Sequence, residues 1–244
     1  MMFDTKYKKI WKQEVSELLK RVPEYPADRV SKYYYNLWRG SLAEGRNPID
    51  DASPWIAYSA IDLLEHYLTP DMRVFEYGGG GSTLFFGKRV LEVVTVEHDT
   101  QWFSAIEKAV AKNALQNWKG LLMPAQKGNG EEASIADPNA YISDDASFKG
   151  CHFREYASAI DTFSDEAFDV VLVDGRARPS CLKHALPKVR QRGLLVLDNS
   201  DRKYYLDLTF PMIASKFELL LDGKGPAPYL RWFTQTTIWR KRSP

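Results

Sequence analysis

Cysteine is scarce. Only Cys151 and Cys181 occur in 244 residues, and they do not form a C-x-x-C pair. A disulfide framework and a cysteine-rich zinc site are therefore excluded as organising principles, and a reducing compartment is compatible. No apolar run approaches the roughly 18 residues that mark a membrane span, and MMFDTKYKKIWKQEV lacks the apolar centre of a secretory signal. A soluble cytoplasmic protein is expected. Charge of one sign is also missing: 33 Lys and Arg face 32 Asp and Glu, leaving a formal charge of +1. Without a global basic field, nucleic acid is not the default partner and a small molecule or sugar is. Internal repeats and low-complexity tracts are absent too, which sets solenoids aside and leaves the oligomeric state open.

What is present fits one large α/β domain with an N-terminal addition. In KYKKIWKQEVSELLKRV, residues 6–22, the apolar positions share one helical face. Residues 23–52 carry Pro23, Pro26, Gly40, Gly45 and Pro48 around YYYNLW, which predicts a loop-rich arm with a short helix near 28–37. The boundary is placed at 52: residues 1–52 form the helical arm and 53–244 the main domain. Ser53 before Pro54 predicts a helix start, with the helix running to about Leu68. Strands are expected at 73–77, 92–97, 120–125, 168–174 and 193–199, and helices near 82–90, 100–114, 151–162, 178–189 and 203–215. Strands apolar on both faces and alternating with helices predict a doubly wound, mostly parallel sheet. FELLLDG and RWFTQTTIWRK, joined by a link too short for a crossover helix, should pair antiparallel at its end. The polar segment 127–150 is longer than an ordinary connection and is read as a lid over the site.

RVFEYGGGGSTLFFGKRV, residues 73–90, places four glycines between a strand and a helix. Glycine costs stability, so a close approach to bare backbone is expected at Gly78, Gly79, Gly80 and Gly81. In a doubly wound sheet that position is the ligand site. Glu97 ends the next strand 19 residues after Gly78, a spacing that suits a carboxylate accepting from both hydroxyls of a ribose. A G-x-G-x-x-G dinucleotide fingerprint fails in both registers, ending on Thr83 or Leu84. EYGGGGS instead resembles the first motif of the class I S-adenosylmethionine-dependent methyltransferases, roughly acid-x-G-x-G-x-G, matching at Glu76, Gly78 and Gly80 and departing at Ser82. The resemblance spans about residues 53–240 and extends to the antiparallel final pair, implying a seven-stranded sheet. It implies that Glu76 and the glycines face the amino acid part of the cofactor, Glu97 the ribose, and His98 the adenine edge, with Ser82, at the last glycine position, also a cofactor contact.

Methyl transfer from a sulfonium requires nucleophile and methyl group to be collinear and the nucleophile to lose its proton. The candidates are Asp174 in VLVDGRARP, and Asp198 and Asn199 in LVLDNSDR, all at strand ends on the glycine rim. Asp174 is also a candidate for holding the cofactor. Their hard oxygens suit Mg²⁺, and the set is similar to that of the metal-dependent catechol and caffeoyl-CoA O-methyltransferases. The alternative is that Asp174 orients a ligand without metal while the Asp-Asn pair caps a helix. Arg176 and Arg178 are candidate clamps for an acidic substrate group. His184 and His152 are read as helix and segment-edge residues, and Trp55 and Tyr58 as core packing. The expected function is O-methylation of a small molecule or sugar; an NAD-linked oxidoreductase and a catalytically silent cofactor-binding subunit are the alternatives.

Overall fold

The two-faced apolar runs form the centre of one seven-stranded sheet in the computed structural model, which describes residues 2–21, 33–128 and 133–243. In chain order the strands are β1 (Arg73–Tyr77), β2 (Glu92–Glu97), β3 (Trp118–Leu122), a short ribbon of β4 (Gln126–Lys127) and β5 (Cys151–His152), then β6 (Phe168–Val173), β7 (Val189–Asp198), β8 (Phe217–Gly225) and β9 (Thr234–Lys241). The large sheet runs β3-β2-β1-β6-β7-β9-β8. Its first five members are parallel, and β9 lies antiparallel to both β7 and β8. The chain works outward from β1 to β3 and then returns to β6, beside β1. That reversal leaves the crevice at the carboxyl ends of β1 and β6 where ligands of such sheets bind.

Helices cover both faces. In chain order they are α1 (Met2–Arg21), α2 (Tyr35–Ser41), α3 (Pro48–Asp51), α4 (Tyr58–Tyr67), α5 (Gly81–Gly87), α6 (Thr100–Lys112), α7 (Arg154–Ser158), α8 (Arg178–Ala185) and α9 (Phe210–Ala214). Side chains of β1 alternate as a strand must: Phe75 and Tyr77 enter one core with Tyr156 and Leu182, and Val74 enters the other with Leu64 and Phe86. The second core also takes in the N-terminal arm. Trp11 lies 5.1 Å from Trp38 and 5.2 Å from Phe233, the Trp38 Nε1 donates to Leu230 O at 2.6 Å, and the Phe233 amide donates to Glu14 Oε2 at 3.0 Å.

Several boundaries differ from expectation for physical reasons. The helix after Ser53 begins five residues later, at Tyr58, because distant groups take its first amides: Ala57 N donates to Thr236 Oγ1 at 3.0 Å and Tyr58 N to Pro226 O at 2.9 Å. The arm contains α3, which the loop reading missed; Asn47 caps it by accepting from Asp50 N at 3.0 Å. Of the helix expected near 28–37, residues 28–32 lie outside the described residues, and the helix seen is α2. The stretch 203–215 breaks into a 3₁₀ turn, Lys203–Tyr205, and α9, and the stretch 151–162 opens with β5 before α7. Trp55 is not core: it is 44% exposed and meets Tyr229 edge-on, whereas Tyr58 is buried and stacked on Tyr34 at 5.5 Å. Among the described residues no helix is long and apolar enough to cross a membrane.

Candidate functional site

The turn between β1 and α5 is built from Gly78, Gly79 and Gly80, and the four glycines serve different ends. Gly78 has φ +85, a conformation that side chains rarely adopt, and a Cβ there would press on the Gly175 backbone at 3.0 Å. At Gly79 a Cβ would meet Thr95 Cγ2 at 2.5 Å. At Gly81 it would collide with the carbonyl oxygens of Ser53 and Pro48. Gly80 is buried under the Trp102 ring, which a Cβ there would touch at 3.4 Å, whereas Gly78 and Gly79 are the half-buried residues of the turn. The expectation that all four clear room for a ligand is therefore corrected: at Gly79 and Gly81 the clearance is used by the protein itself. Trp102 Nε1 donates to Gly79 O at 2.7 Å and holds the turn.

Glu76 has no exposed surface. Ser82 Oγ donates to its Oε2 at 2.6 Å, and Thr83 and Thr95 donate to Oε1 at 2.5 and 2.6 Å. Burial pushes its carboxyl up to about 7, against the pull of the three hydroxyls. Glu76 and Ser82 thus face inward and organise the turn, in place of the direct cofactor contacts expected of their side chains. Thr95 was not singled out from the sequence, yet it left a signal as the one neutral polar residue inside the apolar run EVVTVE, opposite Glu76 in register.

Glu97 lies beside the turn. Its Oε1 accepts from the amides of His98 and Asp99 at 2.6 and 2.9 Å and sits 2.6 Å from His98 Nδ1. Burial pushes this carboxyl up, but the His98 ring and the two amides outweigh it, and the group lies below its ordinary range. Its Oε2 receives a single donor, Gly79 N at 3.2 Å, and so keeps acceptor capacity on the turn side. The half-buried main chain at Gly78 and Gly79 and this spare oxygen fit a nucleoside whose sugar hydroxyls donate.

Across the crevice, Asp174 follows β6 and Asp198 ends β7, and Arg178 lies between them. Arg178 Nη2 donates to Asp174 Oδ1 at 2.9 Å, Nη1 lies 4.0 Å from Asp198 Oδ2 and donates to the Asp198 carbonyl, and Nε donates to Gly175 O at 3.0 Å. Asp198 Oδ1 accepts from Thr236 Oγ1 at 2.6 Å. Burial and the neighbouring Asp198 carboxylate hold Asp174 well above the usual carboxylate range, with Arg178 opposing. Burial also raises Asp198. The expected metal site is corrected here. Among the described residues no three His, Cys, Asp or Glu side chains are grouped to hold an ion. A guanidinium already supplies the positive charge, and Asn199, at φ 50, turns its amide to Thr234 Oγ1 at 2.9 Å.

The described part of the 127–150 segment crosses this rim, closed at its base by the β4–β5 pair. Arg176 ties it down: its Nη1 lies 3.0 Å from Asp145 Oδ2, its guanidinium 5.3 Å from the Phe148 ring centre, and its Nε donates to His98 Nε2 at 3.3 Å. Arg202 and Tyr204 both donate to Asp144 Oδ2, at 3.3 and 2.5 Å. His184 sits on α8 against Asp161 at 2.7 Å and Tyr141, away from the crevice. His152 accepts weakly from Arg154 N at 3.4 Å.

No family model matches the chain, and no curated protein matches it in sequence. Solved structures do match in fold. A Streptococcus mutans protein described as a methyltransferase and crystallised with SAH superposes with a TM-score of 0.51 at 12% identity, over 80% of this chain and 98% of that one. A methyltransferase from Geobacter sulfurreducens gives 0.52 at 12% identity, covering 88% and 98%. An rRNA methylase from Streptococcus thermophilus gives 0.50 at 11%, covering 82% and 100%. The chain has the class I methyltransferase fold: a mostly parallel seven-stranded sheet, with an antiparallel strand near one edge and helices on both faces.

Proposed function

We propose that the protein is an S-adenosylmethionine-dependent methyltransferase that methylates an oxygen of a small molecule or sugar. One observation carries the reading: the half-buried turn at Gly78 and Gly79, with the spare oxygen of Glu97 on one side, packs against the backbone of Asp174, whose side chain is 22% exposed, on the other. The bound cofactor supplies an electrophilic methyl group whose bond to sulfur breaks as the bond to the acceptor oxygen forms, leaving a neutral thioether. The main chain of the 78–80 turn, with Glu97 and the edge of His98, would hold it. Asp174 would take the acceptor hydroxyl's proton, and its raised affinity for protons suits that task. Arg178 and Asp198 are positioning residues that keep the Asp174 carboxyl at the rim. No metal enters the scheme.

Small acceptors are favoured over RNA by the balanced charge and by a polar cavity of about 120 Å³ beside Asp174. A dinucleotide reading is disfavoured because Thr83, where the last fingerprint glycine would fall, is buried and donates to Glu76. Calorimetry with S-adenosylmethionine and SAH tests the assignment. Micromolar binding weakened at least about tenfold in Glu97→Ala is expected, since the loss removes hydrogen bonds to a charged group. NADH binding in place of SAH, or SAH binding indifferent to Glu97→Ala, would sink it.

A further inference from the structure

The polar cavity beside Asp174 narrows the acceptor's chemistry. Arg176, Arg178 and Arg202 line it, with Asp144, Asn199 and Tyr204. Three guanidinium groups thus share the wall, each facing at least one carboxylate: Arg178 meets Asp174 and Asp198, Arg176 meets Asp145, and Arg202 meets Asp144. Arg178 is fully engaged, its Nε, Nη1 and Nη2 all donating to Gly175, Asp198 and Asp174. The other two are not. Arg202 donates through Nη1 to Asp144 at 3.3 Å and Tyr205 at 3.0 Å and also interacts with the Tyr204 hydroxyl, so among the described residues part of its five-donor fork is unused. Arg176 uses Nε on His98 and has Nη1 beside Asp145, and among the described residues its Nη2 donates to nothing. Guanidinium forks with unused donors match an oxyanion in geometry and in sign.

We propose that this cavity binds an oxyanion carried by the acceptor, a carboxylate or a phosphate, and that Arg202 and Arg176 thereby hold a neighbouring hydroxyl at Asp174. The orienting role rests on the methyltransferase reading; the anion site does not. A pure latch, in which the two arginines only fasten the overlying segment through Asp144 and Asp145, is the competing account.

Calorimetric titration of the full chain with inorganic phosphate and, separately, with acetate at low ionic strength distinguishes them, with SAH titrated in parallel. Saturable binding of at least one anion is expected, weakened about tenfold or more in Arg202→Gln and in Arg176→Gln, as loss of a charged hydrogen-bonding partner predicts. Arg202→Lys should regain part of it. SAH affinity should be unchanged in Arg202→Gln, whose native side chain is 48% exposed. Tighter phosphate binding assigns a phosphorylated acceptor, and tighter acetate binding a carboxylic one. If neither anion saturates, or if both arginine variants bind as well as the parent, the arginines are latches and the proposal fails. Arginine-dependent anion binding without SAH binding would leave the anion site standing and overturn the methyltransferase reading.

Discussion

Glu76 and Asp174 lie at the carboxyl ends of adjacent strands, one buried and one half-buried, and the chain stabilises the two acids by opposite means. Around Glu76 there are three hydroxyl donors and no cation. Around Asp174 there are a guanidinium and a second carboxyl. The first arrangement seals the group entirely; the second leaves 22% of the Asp174 side chain open to the rim. Neutral dipoles make a plug that needs no ligand, while a charge network with one open edge can exchange a proton with something outside. That difference separates the acid that shapes the turn from the acid available for chemistry.

Removing the cation should break the comparison most strongly. Arg178→Met leaves two carboxyls facing each other without compensation, and stripping one partner from a buried charge network costs about 3–5 kcal/mol. Urea unfolding at pH 7 should show that loss, and the double variant with Asp198→Asn should recover much of it. Because the loss comes from ionised carboxyls, it should shrink as the pH falls. A loss below about 1 kcal/mol would mean that Arg178 is a surface-like pair of the kind that contributes little.

The hydroxyl-bound acid predicts a pH effect. Glu76 is raised from 4.5 to about 7, so between those values the folded state holds a proton that the unfolded state has released. Stability therefore falls as pH rises through that window, by at most about 3 kcal/mol for this group. In Glu76→Gln this contribution should vanish, flattening the profile measured by denaturation between pH 4.5 and 8. An unchanged slope would show that Glu76 is ionised in the fold at neutral pH.

These two centres also mark how far the sequence is legible. The parallel strands were readable because each is a short two-faced apolar run; β1 and β2 match at both ends. The placement of Glu97 beside the glycine turn was readable because their spacing is local. Arg178 was read as a substrate clamp and Asp198 with Asn199 as metal ligands, because nothing local shows that register brings residue 178 onto residue 198. Likewise Ser53-Pro54 is a sound local start signal, overridden by Thr236 and Pro226 from the far end of the chain. The β4–β5 pair is two residues per strand, too short for any periodicity to announce.

The smallest effect compares two threonines that relay hydrogen bonds into the two acids. Thr95 accepts from Trp118 Nε1 at 2.8 Å and donates to Glu76; Thr236 accepts from Ala57 N at 3.0 Å and donates to Asp198. Replacing either by Val keeps the shape and strands one donor, which costs about 1–2 kcal/mol. The pH dependence should differ. Glu76 has only hydroxyls, so losing one raises its pKa further, and the cost of Thr95→Val should grow as the pH rises from 5 to 8. Asp198 keeps Arg178 as a second source of stabilisation, so the cost of Thr236→Val should change less over the same range. Equal slopes in the two variants would show that the guanidinium does not buffer Asp198, and the distinction between a sealed acid and a networked one would lose its physical basis.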